Sequence, residues 1–248
     1  MNIFLLTMEN EMKNDELLHY SKMFTIYGLC YVKILYIKCV KDTGTLFALE
    51  VDKKQYLITA THLTEKLKFN ACNESQIEFR YDNKWLPLDI QLVGHAKDAD
   101  ISVFVAKTLL GIPLPIKHSF DPYSLAEDVL FCGFPRVLGP PKVQCDPKRP
   151  SPHIRKGAIS YIAENGLIII DAHNIPGFSG GPVIMNKSAK DCNVIGVVSG
   201  YFPTPVRNNK GENYPDANVN SGMMVAYDIS FAIEIIRKNP IGLSFPFL

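Results

Sequence analysis

The chain carries almost no net charge: 26 lysines and arginines face 25 aspartates and glutamates, leaving +1 at pH 7 with histidine neutral. A surface so balanced offers no electrostatic case for nucleic acid or for an acidic membrane face. No uninterrupted apolar run reaches transmembrane length, so no membrane span is expected. The start, Met1-Asn2-Ile3-Phe4-Leu5-Leu6-Thr7, lacks a basic n-region and turns acidic at Glu9 and Glu11. Its apolar stretch is too short for a signal peptide, and a cytoplasmic location is the expectation. The six cysteines (Cys30, Cys39, Cys72, Cys132, Cys145 and Cys192) form no C-x-x-C pair, which argues against zinc or thioredoxin-like chemistry. Spread singly, they read as small buried hydrophobes in a reducing compartment, although their even number also suits three disulfides. No metal and no cofactor is expected. No internal repeat is evident. The most decisive absence is different: all six histidines (His19, His62, His95, His118, His153 and His173) precede residue 179, and none follows it.

That residue is Ser179, in the run Gly177-Phe178-Ser179-Gly180-Gly181-Pro182. A nucleophilic serine has to project from a tight turn whose N–H groups converge on the oxygen that becomes negative. Gly177 permits such backbone geometry, and Gly180 and Gly181 allow close approach of chain and substrate. At average residue frequencies the pattern arises by accident in about 3 of 10,000 chains of this length. Gly177-x-Ser179-x-Gly181 also fits the nucleophile elbow of α/β-hydrolases, but there the acid and then the histidine follow the serine. With no histidine after Ser179, that reading fails on chain order.

The base must therefore lie upstream. His62 closes the β-branched apolar run Tyr56-Leu57-Ile58-Thr59-Ala60-Thr61-His62, and taken alone it reads first as a histidine capping a strand end. The segment resembles the "L-T-A-x-H" stretch that delivers the base in chymotrypsin-like serine peptidases. Gly44-Thr45-Leu46-Phe47 resembles the "G-T-x-F" strand that precedes it in bacterial trypsin-like and HtrA-like members. Asp100-Ile101-Ser102-Val103 resembles their "D-[IL]-A-[VL]" segment, in which the aspartate opens a buried strand. Asp98, two residues earlier, is the rival; it has no apolar strand directly behind it and reads as a solvated loop residue. The order His62, Asp100, Ser179 matches the chymotrypsin arrangement and not that of subtilisin. Asp171-Ala172-His173-Asn174-Ile175-Pro176, Val194 to Gly200, and Gly222 to Tyr227 also look like HtrA-like segments, so the resemblance spans most of the chain.

The resemblance implies an all-β fold of two six-stranded antiparallel barrels with a C-terminal helix. Short alternating runs between turn signals support it independently. Strands are expected at 31–39, 45–51, 55–60, 76–81, 85–92 and 101–106, then at 128–133, 157–162, 167–171, 182–185, 193–199 and 223–227. A helix is expected over 231–238, capped by Asp228 or Ser230 and stopped before Pro240. The domains then read as an extension (1–25), a first barrel (26–110), a connector (111–127), a second barrel with its helix (128–239) and a tail (240–248). Two long segments, 140–155 and 201–221, read as irregular walls of a substrate cleft.

The implied activity is that of a serine endopeptidase acting on peptide or protein substrates. His62 would be the base, Asp100 its orienter, Ser179 the nucleophile, and the N–H groups of Gly177 and Ser179 the oxyanion hole. The alternative is a scaffold of the same fold that binds extended peptides of a partner without cleaving them. In the family, the residue six before the serine lies near the base of the primary pocket; here it is His173, and an aspartate there would have implied cleavage after Arg or Lys. Ser199, Gly200 and Tyr201 are expected to pair with substrate backbone as an added strand. Digestive relatives have an aspartate just before the serine that receives a new N-terminus after zymogen cleavage. Phe178 cannot accept that charge, so activation of that kind is not expected.

Overall fold

Asp52-Lys53 and Asp82-Asn83 each turn the chain through two residues with positive φ (49° and 61°; 47° and 56°), the geometry of type I′ hairpins. These turns join β2 (Asp42–Val51) to β3 (Lys54–Thr59) and β4 (Glu74–Tyr81) to β5 (Lys84–His95). With β1 (Ile34–Cys39) and β6 (Ser102–Ala106), they form a sheet ordered β3-β2-β1-β4-β5-β6. Pairing of Leu57, Ile58 and Thr59 with Phe104, Val103 and Ser102 closes it into a six-stranded barrel. The computed structural model describes residues 34–110, 117–118, 123–136, 138, 150–188 and 191–244.

The second half repeats the architecture. After β7 (Lys117–His118) come β8 (Asp128–Gly133), β9 (His153–Ile162), β10 (Leu167–Asp171), β11 (Pro182–Ser188), β12 (Asp191–Arg207) and β13 (Asn213–Asp228). The last six pair in the ring β8-β9-β10-β13-β12-β11, closed by β11 on β8, while β7 adds in parallel to β12 outside it. Both halves are thus closed six-stranded antiparallel barrels. Helix α1 (Ser230–Lys238) follows, and Asp228 accepts the Ser230 N–H at 2.7 Å. Of the two expected caps, the aspartate performs the role from just outside the helix. β14 (Leu243–Ser244) returns to the first barrel and pairs with Gln55 and Lys54 of β3.

Alternation of inward side chains fills three apolar clusters. Ile37, Leu46, Leu57, Ile90 and Phe104 occupy the first barrel. Phe131, Ile168, Phe178, Ile195 and Met224 occupy the second. Phe47, Ile58 and Val103 meet Cys132, Ile184 and Val197 between the barrels, with Ile233 and Ile236 of α1 in the same cluster.

Two expectations change. The segment 201–221 is not an irregular wall: β12 and β13 continue through it as a hairpin, with Pro203, Thr204 and Pro205 opposite Asn220, Val219 and Asn218. The prolines look like turn formers in sequence, but a strand paired on one side tolerates them when the missing N–H faces the open side. Asn208 closes the hairpin by accepting the N–H groups of Lys210 and Glu212 at 2.9 and 3.0 Å. Of the other expected wall, positions 140–149 lie outside the described residues, and β9 already begins at His153. Cys39 and Cys72 are free thiols, which rules out a three-disulfide framework. Cys39 and Cys132 are buried as expected; Cys72 is exposed.

Candidate active site

β3 ends at Thr59, and a single 3-10 turn, Thr61–Leu63, carries His62 into the cleft while Leu63 is buried beneath it. Asp100 stands two positions before the start of β6, next to fully buried Ile101. Both carboxylate oxygens serve the histidine. One accepts its backbone N–H at 2.9 Å, and the other meets Nδ1 at 2.6 Å. The second oxygen also accepts the Ser199 hydroxyl at 2.6 Å. With Nδ1–H donated to Asp100, the lone pair of a neutral imidazole lies on Nε2. Asp98 is exposed on the same turn.

The hydrogen bond that His62 donates to Asp100 raises the His62 pKa above its ordinary value, against the opposing effect of partial burial. Burial pushes Asp100 up, but its bonds from His62 and Ser199 outweigh this and hold the carboxyl below the usual carboxylate range. Ser102 supports the base from behind. Its hydroxyl donates to Thr61 Oγ1 at 2.9 Å and lies 2.7 Å from His95 Nδ1. A hydroxyl has one proton, so His95 Nδ1–H is the donor in the second contact. The serine replaces the alanine of the resembled segment and ties β6 to the turn that carries His62.

The nucleophile turn is gripped through its carbonyls. Thr45 of β2 donates its backbone N–H to Ser179 O at 2.9 Å and its hydroxyl to Gly177 O at 2.8 Å. Pro176 O accepts the Arg136 N–H at 3.0 Å, and Phe178 O accepts that of Gly181 at 2.9 Å. In a trans peptide the C=O and N–H point in opposite directions. Anchoring these two carbonyls therefore turns the Gly177 and Ser179 N–H groups the other way, and neither has a partner among the described residues. Gly177 holds φ at +113°, and a Cβ there would lie 2.1 Å from Phe134 O; Gly180 holds +80° with Thr45 O at 2.1 Å. No side chain fits either place. Phe178, fully buried, plugs the second barrel edge-on to Phe131, 5.2 Å between ring centroids. Where an aspartate would wait for a new N-terminus, this chain has an apolar anchor.

The Ser179 hydroxyl is not hydrogen-bonded to His62. It donates instead to Ser199 O at 2.9 Å. Ser199 sits at the register shift between Val198 and Gly200, a bulge that frees its carbonyl for Ser179 and aims its hydroxyl at Asp100. One residue thus touches two of the three groups singled out in the sequence.

A cleft of ≈ 380 Å³ contains His62, Ser179 and Gly177, with Ser199, Gly200 and Tyr201 along one side and Asp42, Thr43 and Arg136 among its other walls. His173, expected near the base of the primary pocket, does not line it. Alternation decides this: Ala172 and Asn174 are buried, whereas Asp171 and His173 point to solvent. Asn174 takes the wall position instead. Asn174, Thr45 and Arg136 were missed by sequence reasoning, although Thr45 lies inside the "G-T-x-F" resemblance and carried a usable signal. Beyond Val198, the edge of β12 that had faced β11 no longer pairs with it, leaving Ser199 to Phe202 open. Pro203 and Pro205 then interrupt the row of donors, so an added strand is confined to about the stretch from Ser199 to Phe202.

A Cβ at Gly200 meets nothing within 4 Å. Gly200→Val should therefore leave the melting temperature nearly unchanged yet narrow the cleft. Differential scanning fluorimetry checks the first half, and a crystal structure of the variant checks the second. Among the described residues, no three His, Cys, Asp or Glu side chains come together as a metal site requires, and no helix is long and apolar enough to cross a membrane.

No family model matches the chain, and no curated protein matches it in sequence. Its structure is similar to the crystal structure of a serine endoprotease from Yersinia pestis, with a TM-score of 0.58 and 17% sequence identity. The match covers 86% of this chain but 65% of that one, so this chain spans about two-thirds of the length of the protein it resembles. Two closed barrels with a cleft between them, together with that likeness, place this chain in the chymotrypsin fold.

Proposed function

We propose that the protein is a serine endopeptidase that hydrolyses peptide bonds through Ser179, His62 and Asp100 by way of an acyl-enzyme. One observation carries the reading. A doubly bonded Asp100–His62 pair opens into the same cleft as a serine whose turn leaves two N–H groups without a partner among the described residues. The Ser179 hydroxyl first rotates from Ser199 O to His62 Nε2. An extended peptide laid on the open edge of β12 offers its own N–H to Ser199 O and so favours that rotation. His62 takes the hydroxyl proton as Oγ attacks the carbonyl carbon, and the Gly177 and Ser179 N–H groups hold the resulting oxyanion. His62 then gives the proton to the leaving amine. Water, activated by His62, hydrolyses the ester and restores Ser179. Asp100 stays ionised throughout, fixing the tautomer and stabilising the transient imidazolium. The chain is proposed to act in a reducing, cytoplasmic setting, in keeping with its free thiols.

A second reading, a scaffold that binds extended peptides without cleaving them, draws on the bond from Ser179 to Ser199 O. Labelling separates the two. A fluorophosphonate should modify the wild-type chain at Ser179, as read by mass spectrometry of the tryptic peptide. No modification there, with peptides still bound, would establish the scaffold.

The pH dependence follows from the raised pKa of His62. The base works neutral, so kcat/KM rises with pH through that pKa. The acid limb should therefore lie above the ~6.5 of free imidazole and give way to a plateau on the alkaline side. An optimum at pH 4 would exclude His62 as the base.

A further inference from the structure

Among the described residues, a single buried side-chain polar atom lacks a hydrogen-bond partner: Asn174 Oδ1. Buried polar groups are paired so generally that an exception in a cleft wall points to a ligand group. Asn174 is only 2% exposed, and every other polar contact it makes is fixed. Its Nδ2 donates to Gly200 O at 2.7 Å, and its backbone carbonyl accepts the side-chain amide of Asn220. The bond to Gly200 also settles the orientation of the carboxamide, since a flip would set two carbonyl oxygens against each other. Oδ1 is therefore an acceptor held by its surroundings, in the residue that forms the cleft wall next to Gly200.

Building on the peptidase reading, we propose that Asn174 determines specificity. It selects, on the acyl side of the scissile bond, an uncharged side chain that carries a hydrogen-bond donor: a carboxamide or a hydroxyl. Each other class fails on chemistry. A carboxylate sets oxygen against oxygen. An ammonium or guanidinium would be desolvated beside a neutral dipole. The acidic residue of the cleft, Asp42, lies with Thr43 and is already ion-paired to Lys66 at 2.9 Å. An aliphatic group leaves the oxygen unpartnered. Oδ1 is shielded from solvent, so the donor reaches it as the wall yields to an entering side chain and not from bulk water. The empty space around the Gly200 Cα gives that side chain its way in.

The test uses peptides identical except at the selected position, in the near-isosteric pairs Gln/Glu, Asn/Asp and Thr/Val. For the wild-type chain, kcat/KM should favour the donor-bearing member by about 10-fold or more in the pair whose size fits, the worth of one buried neutral hydrogen bond. Asn174→Leu should remove the preference, so that the donor-bearing member and its isostere are hydrolysed or bound alike. Asn174→Asp, which adds a charge to the acceptor, should admit Lys side chains that the wild type rejects. That gain is one a merely structural asparagine does not produce. Fluorophosphonate labelling of each variant verifies that the Ser179 site is intact. The same peptides are titrated into Ser179→Ala by calorimetry, where selection is read without cleavage. Donor preference in binding with no wild-type turnover upholds Asn174 and overturns the peptidase. Turnover or binding that ignores the donor overturns the Asn174 assignment alone. Neither turnover nor binding of any member overturns both.

Discussion

Ser179→Ala should reduce peptide hydrolysis by about 10⁶ in turnover and abolish fluorophosphonate labelling, with little change in melting temperature. The separation follows from how the turn is held. Thr45 clamps the carbonyls of Gly177 and Ser179, and Phe178 fills the second barrel; none of these contacts involves the serine hydroxyl. The hydroxyl's own bond goes to Ser199 O, a carbonyl at the open edge of β12. Its loss therefore removes the nucleophile without releasing the turn. A label that survives in the alanine variant would place the reactive group elsewhere and sink the assignment.

Asp100→Asn should cost about 10⁴ in turnover, because it changes a proton's position more than it changes a shape. Both carboxylate oxygens of Asp100 act as acceptors, toward the His62 backbone N–H and toward Nδ1. A carboxamide can satisfy only one of those donors. With its NH₂ toward Nδ1, the imidazole must carry its proton on Nε2 and cannot accept one from Ser179. With its oxygen toward Nδ1, the NH₂ confronts the backbone N–H. The hydrogen bond that raises the His62 pKa goes as well, so the remaining acid limb should shift to lower pH. Stability adds an independent check with a defined sign. A raised folded-state pKa on His62 contributes stability that is complete below its unfolded value, ~6.5, and lost as pH climbs through the folded value. Asp100→Asn should consequently lower the melting temperature more at pH 5.5 than at pH 9. Equal losses at both would mean that His62 draws no charge stabilisation from Asp100.

Much of this molecule was legible in its chain. Strands 128–133 and 167–171 were expected at the limits they have, because alternation of apolar and polar residues is a local property of extended backbone. The glycines around Ser179 were equally readable, since sterics alone decide which residue tolerates φ near +113°. What misled were residues whose local meaning depends on a neighbour far along the sequence. Pro203 and Pro205 signal turns by composition, yet they sit in a strand that, among the described residues, pairs over that stretch with β13 alone. His173 matched a family position, yet it is the buried phase of the exit from β10 that puts Asn174 in the wall.

By itself the sequence determined the kinds of groups available and their order: one serine on a glycine-built turn, histidines only upstream of it, and short alternating strands enough for two barrels. Only the tertiary structure decided which atoms meet. Thr45 bonds Gly177 across 132 residues, Ser199 bonds Asp100 across 99, and Asn174 keeps one oxygen unmatched. The physical reason is range: backbone sterics and periodicity act over a few residues, whereas hydrogen-bond partners are assigned when two closed barrels press together and each buried polar group takes the donor or acceptor that packing leaves within reach.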